Sequence, residues 1–208
     1  YGIAVDDFAC EIATLSLWLA EHQMNTEFKA KFGYAEAALP LKDGGNLVCG
    51  NSLRLDWEKV CPSADKHGNQ HEVYICGNPP FLGFKFRSSS QNEDMDIVFK
   101  SFAKHRLLDY VSCWFWKAAC YMQGDYIEAA FVATNSLSQG EQVGILWPEI
   151  LDKGIRIKFA YRTFKWTNSA KSAAAVHVTV VGLTRSNNPA KLFSFDDKAL
   201  RVSMHDNI

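Results

Sequence analysis

No stretch of this 208-residue sequence reaches the about 18 residues of a membrane-spanning helix without an Asp, Glu, Lys or Arg, so no transmembrane span and no membrane partner is expected. The opening residues lack the basic start and apolar centre of a signal peptide. There is no excess of basic charge either: 22 Lys and Arg against 23 Asp and Glu leave a net charge of −1, so nucleic-acid binding would need a local basic face. Metal-ligand spacing is missing, since the six cysteines form no CxxC and the six histidines fall in no ligand pattern. Cys10, Cys49, Cys61, Cys76, Cys113 and Cys120 instead read as reduced, mostly buried thiols of a cytoplasmic protein. Internal repeats, heptads and low-complexity linkers are absent. An initiator Met is absent too, and the start at Tyr1-Gly2-Ile3 reads as a piece of a larger protein that begins directly on a strand.

What is present is a rich apolar fraction, 48% with 14 Phe and 6 Trp, enough for one domain with a sizeable core. Residues 1–5 read as a strand, and Asp6-Asp7 place carboxylates where a helix over about 7–24 should start. Phe8, Ile12, Leu15 and Leu19 recur at helical spacing, so a sheet should cover that side. Asn46 to Cys49 reads as a second strand, followed by a polar connection that Trp57 tacks down. After a third strand at 73–76, residues 82–95 have no period and look mobile or ligand-ordered. Helical spacing resumes near Met95 and again from Leu107 to Met122, the second helix being apolar on most sides. A strand at 126–133 is followed by Ser138 and Glu141, a capping-box spacing that predicts a helix over 139–151, kinked or cut short by Pro148 and stopped at Gly154. A strand at 155–161, a basic aromatic turn at 162–166 and a last strand at 173–183 leave no room for a crossover helix, so those two strands should be antiparallel neighbours. The pattern predicts a mostly parallel α/β sandwich with an antiparallel last strand over residues 1–185, and a tail or the start of a further region over 186–208.

The stretch HEVYICGNPPFLGF, residues 71–84, carries the chemistry. A buried strand ends at Gly77, and two prolines then prevent its continuation and hold an amide, Asn78, and a ring, Phe81, beside the carboxyl end of the sheet. In open α/β sheets that edge is where ligands bind. The same residues also fit an ordinary turn followed by an aromatic core plug.

Asn78-Pro79-Pro80-Phe81 after an apolar strand resembles the catalytic motif of DNA adenine-N6 methyltransferases. GIAVDDFACEIATLSLWLAEHQMN, CGNSLRLDW, CGNPPFLG, FVATNSLSQGEQVGILWPEI and FKWTNSAKSAAAVHVTVVG, in that order, resemble the catalytic domain of MmeI-like type II restriction-modification enzymes. The resemblance implies a Rossmann-like, S-adenosylmethionine-dependent class I fold whose Gly-rich cofactor loop and first strand would lie before Tyr1, and whose target-recognition region would follow residue 208. It implies transfer of a methyl group from S-adenosyl-L-methionine to the N6 amine of adenine in double-stranded DNA.

The resemblance also assigns residues. Ile3, Asp6, Asn51 and Ser52 would face the cofactor, although Ala4 stands where the family usually has a ribose-binding Glu, and Asn51 also reads as a plain Asn turn. Asn78, Pro79, Pro80 and Phe81 would be catalytic. Phe81 would stack on the flipped base, with Phe164, then Trp166, on its other side. Lys85, Arg87, Lys165 and Lys171 would contact the DNA backbone. Without a central strand, the sheet should pair the strands ending at Val5 and Cys76 directly, borrow a strand, or form a homodimer through the exposed edge. Cofactor affinity of this chain alone should be very weak. Two other readings share parts of the pattern: a nucleic-acid-binding or scaffolding module that has lost methyl transfer, motivated by Ala4, and an RNA or protein-glutamine methyltransferase, which shares only Asn-Pro-Pro.

Overall fold

The computed structural model describes residues 1–34, 46–100, 102–166, 176–196 and 201–205. They fall into two compact units, Tyr1–Pro62 and Ser63–Ile208. In the first unit β1 (Gly2–Ala4) pairs in parallel with β2 (Leu47–Cys49), Ala4 opposite Cys49. Helix α1 (Asp7–Phe32) starts where the paired aspartates predict: Asp6 Oδ1 accepts the Ala9 N–H at 2.8 Å. It runs past residue 24 because nothing breaks it before Gly33, whose φ of 79° forms the left-handed C-cap. The expectation that a sheet covers its apolar side is corrected: no residue of α1 is buried, and Phe8 is 72% exposed. Size explains this. Strands of three residues cover only about 10 Å along a helix, whereas the 26 residues of α1 extend about 39 Å. Helix α2 (Trp57–Val60) closes the unit, and Trp57 Nε1 donates to the Ser52 carbonyl at 2.9 Å, tacking the connection down as expected.

The second unit is built on a six-stranded sheet. Its elements are β3 (Val73–Gly77), α3 (Ser89–Val98), α4 (Ser112–Tyr121), β4 (Ile127–Thr134), α5 (Glu141–Asp152), β5 (Arg156–Trp166), β6 (Val176–Thr184), β7 (Lys191–Asp196) and β8 (Arg201–His205). The strand order is β3-β4-β6-β5-β7-β8. Neighbours β3/β4 and β5/β7 are parallel, while β4/β6, β5/β6 and β7/β8 are antiparallel, so four strands run one way and β6 and β8 the other. The antiparallel closing pair read from the sequence is thus β5 and β6, and β7 and β8 extend the sheet beyond it. Strand β4 alternates, with Ile127, Ala129, Phe131 and Ala133 buried. Phe131 meets Phe115 of α4 edge-on at 5.2 Å, and Leu146 and Ile150 of α5 are buried.

Several boundaries differ from the sequence reading. Helix α3 begins at Ser89, well before Met95, because Ser88 and Gln91 form a reciprocal capping box. Residues His105–Leu107 make a separate 3₁₀ turn, so α4 starts at Ser112. The capping box expected at Ser138 and Glu141 does not form: Ser138 lies in a 3₁₀ turn and Gly140 is the N-cap of α5. That helix continues through Pro148 to Asp152, held by burial of Leu146, Trp147 and Ile150. Strand β5 takes in the expected turn at 162–166, with a register shift between Tyr161 and Phe164. Only Cys113 of the six thiols is buried, and Cys49, Cys76 and Cys120 are exposed. Among the described residues β1 and β3 lie in different sheets and β3 is an edge strand, so of the three arrangements expected the direct pairing of these two strands does not occur. No described helix is long and apolar enough to cross a membrane.

Candidate functional site

In the first unit, parallel pairing carries the carboxyl ends of β1 and β2 to one edge, where Gly50 N–H donates to the Ala4 carbonyl at 2.7 Å. Two segments far apart in sequence, Ile3 to Asp6 and Asn51-Ser52, are thereby brought together. Ile3 is half-buried. One Asp6 oxygen is taken up by the α1 cap. Asn51 forms the turn that its composition also allowed: its Oδ1 accepts from Leu53 N–H at 2.9 Å, and its carbonyl accepts from Arg54 and Leu55. Beside them, hydrogen bonding to Asp7 pushes the Cys49 thiol up to about 12.

In the second unit, β3 stops at Gly77, opposite Phe131 of β4. A Cβ on Gly77 would stand 3.3 Å from the Phe131 ring, so glycine lets the strand end lie flat against that ring. Pro79 is buried, Phe81 half-buried, and Asn78 and Pro80 are exposed. Among the described residues, no hydrogen bond engages the Asn78 amide. The loop is tied down just beyond the motif, where Tyr110 N–H donates to the Leu82 carbonyl at 3.0 Å.

Register brings the late aromatics to the same edge: Thr134 at the end of β4 pairs with Val178, and Val178 pairs with Phe164. Trp166 lies two residues farther out, 6.2 Å from Phe164 between ring centroids. Three strand intervals of about 4.8 Å separate β3, whose end carries the Asn-Pro-Pro-Phe loop, from β5, which carries Phe164 and Trp166.

The four predicted phosphate contacts divide. Lys85 and Lys165 are exposed, Lys85 with its ammonium 5.6 Å from the Phe84 ring centre. Lys171 lies outside the described residues. Arg87 is half-buried and acts as an internal clamp, donating through Nη1 to the Leu108 carbonyl, through Nη2 to the Arg106 carbonyl at 2.7 Å and through Nε to Asn92 at 3.0 Å. No group of three or more potential metal-ligating side chains occurs among the described residues.

Sequence reasoning missed one polar cluster. Asp109, buried, accepts from Ser136 Oγ, and the Ser136 and Thr134 hydroxyls share a 2.6 Å hydrogen bond. Asp109 N–H also donates to Gln142 of α5 at 2.9 Å, so Asp109 ties the segment carrying the loop's tether to the end of β4 through its carboxylate and to α5 through its backbone. The available signal was a single carboxylate within the apolar run LLDYV.

A sequence profile described as "MmeI, DNA-methyltransferase domain" matches residues 1–194. "DNA methyltransferase A" of Bacillus subtilis (strain 168) is 43% identical over 203 residues, which is 97% of this chain and 23% of that protein. The type IIL restriction-modification enzyme MmeI, solved in complex with DNA, has a TM-score of 0.87 and 37% identity, covering 99% of this chain and 27% of its own. The DrdV–DNA complex, at TM-score 0.54 and 14% identity over 92% of this chain and 21% of its own, shares the fold. The chain spans roughly a quarter of the length of these relatives. An Asn-Pro-Pro-Phe loop at the carboxyl end of β3, the antiparallel β5 and β6 and the 1–194 profile match agree: the chain belongs to the MmeI DNA-methyltransferase domain family.

Proposed function

We propose that this chain is the catalytic part of a DNA methyltransferase that transfers a methyl group from S-adenosylmethionine to the N6 amine of an adenine flipped out of duplex DNA. The observation that carries the reading is Asn78: an exposed, uncommitted amide on a proline-locked loop at the carboxyl edge of the sheet. The adenine amine is a weak nucleophile because its lone pair is delocalised into the ring. Two acceptors, Asn78 Oδ1 and the Pro79 carbonyl, would take its two hydrogens and localise that lone pair, acting by position and fixed dipoles with no carboxylate base. Phe81 would stack on the flipped base, with Phe164 or Trp166 closing the opposite side. Lys85 and Lys165 would meet phosphates.

The carboxyl ends of β1 and β2 fit a cofactor in part. Ile3 offers an apolar contact and Asn51-Ser52 a fixed turn, while Ala4 offers no acid and Asp6 already caps α1. When bound, S-adenosylmethionine would supply the electrophilic methyl carbon. That partial fit favours, as a second reading, a DNA-binding module that has lost methyl transfer.

Incubating the full-length protein with duplex DNA and S-adenosylmethionine labelled in its methyl group tests the reading. N6-methyladenine is expected among the product nucleosides, and Asn78→Ala should lower kcat by about 100- to 1,000-fold, the scale for losing one preorganised transition-state contact. Label in cytosine, or full activity in Asn78→Ala, would overturn it. DNA binding without label would favour the second reading.

A further inference from the structure

The loop that leaves the Asn-Pro-Pro-Phe motif carries rings that the proposed chemistry does not use. Residues Phe84–Phe86 form a 3₁₀ turn closed by Phe86 N–H to the Gly83 carbonyl at 3.0 Å, and it presents the Phe86 ring 79% exposed and Phe84 43% exposed. A ring facing water on a slack loop would be unremarkable, but this turn is braced at both ends. Before it, the Leu82 carbonyl is held by Tyr110. After it, Arg87 spends all three nitrogens on Leu108, Arg106 and Asn92, and Ser88 opens α3 through a capping box. The ring is thus presented rigidly, five residues after Phe81, with the exposed Lys85 between Phe84 and Phe86. A rigid apolar ring beside a base-receiving loop matches the wedge by which DNA-bending proteins part base steps.

We propose that Phe86 enters the base stack of duplex DNA beside the target adenine and holds open the space that the flipped base leaves, with Lys85 against the flanking phosphate. The proposal rests on the base-flipping reading above and names how the duplex is opened. A wedge acts on stacking, so its loss should matter on an intact duplex and much less where the helix is already open.

The test uses the full-length protein on two duplexes carrying its methylation site, one intact and one with an abasic residue opposite the target adenine. Phe86→Ala should lower kcat/KM on the intact duplex by roughly ten- to a hundredfold, the size of one base–aromatic stack. Most of that loss should be recovered on the abasic duplex, and Phe86→Trp should remain close to wild type. Asn78→Ala should fail on both duplexes, so recovery confined to Phe86→Ala separates the wedge from the chemistry. A 2-aminopurine placed beside the target should brighten on binding wild type and stay dark with Phe86→Ala, a readout independent of methyl transfer. Equal losses on the two duplexes, wild-type rates for Phe86→Ala, unchanged 2-aminopurine brightening, or a fall of several degrees in Tm without DNA, which would mean that the ring is packed inside the protein, would each overturn the proposal.

Discussion

At Asn78 the proposed chemistry needs an oxygen held in place, and the side chain's identity matters less than the position of its acceptor. Asn78→Asp keeps an acceptor, so its residual methylation rate should fall between wild type and Asn78→Ala; an Asp variant slower than Ala would count against lone-pair localisation. A second residue reports on stability. Arg106, with Nη2 at 2.7 Å, and His105, with Nε2 at 2.8 Å, hold the Asp96 carboxyl at about 2, below its usual 3.8. A depressed carboxyl stabilises the fold above its unfolded value, and that contribution disappears as pH falls from about 4 through about 2. Asp96→Asn should therefore reduce the urea midpoint at pH 7 and match wild type increasingly closely as the pH is lowered toward 2. A difference that is constant with pH would mean that the charge is not involved.

Among the elements, the braced loop between β3 and α3 decides how the site is presented. Arg87 holds it through a planar fork that serves three acceptors, a geometry a lysine ammonium cannot reproduce. Arg87→Lys should cost about 2 kcal/mol, the worth of one or two charge-assisted hydrogen bonds, and should loosen residues 82–88. Amide hydrogen exchange across that segment is the check, and unchanged protection would remove Arg87 from the clamp. In the core, Phe131 is 2% exposed and faces Phe115. Phe131→Ala should destabilise the second unit by about 3–5 kcal/mol, read from denaturant unfolding.

At the scale of the whole molecule, the described residues leave apolar surface and the β3 edge open. Phe8 and Leu19 of α1 are 72% and 54% exposed, and Tyr74 stands out from the edge strand β3 at 68%. Open apolar surface and unpaired strand edges drive association. The 208-residue chain expressed by itself should therefore self-associate, visible as concentration-dependent sedimentation; a clean monomer across the micromolar range would contradict this. Calorimetric titration of the same chain with S-adenosylmethionine should show very weak binding, and micromolar affinity would contradict the reading of Ala4 and Asp6.

By itself the sequence determined the order of the strands and longer helices from β1 to β6, the antiparallel pairing of β5 with β6, the Asp6 cap of α1 and the proline-locked loop at Asn78, but not α2 or the strands β7 and β8. Each of these rests on local chemistry: apolar periodicity, a capping carboxylate, and prolines that cannot continue a strand. Tertiary structure decided what depends on partners distant in sequence. Register across β4, β6 and β5 placed Phe164 level with Thr134, a relation that no spacing within one strand specifies. Residues 162–166 extended into β5 because β6 paired with them, overriding their turn-like composition. Arg87, indistinguishable in sequence from a surface phosphate contact, became a clamp because the carbonyls of Arg106 and Leu108 folded within its reach. Asp109 likewise gained its Ser136 and Gln142 partners only through the chain's return. Local propensity is written in neighbouring residues, whereas hydrogen-bond partners and burial are settled by which distant segments the core brings together.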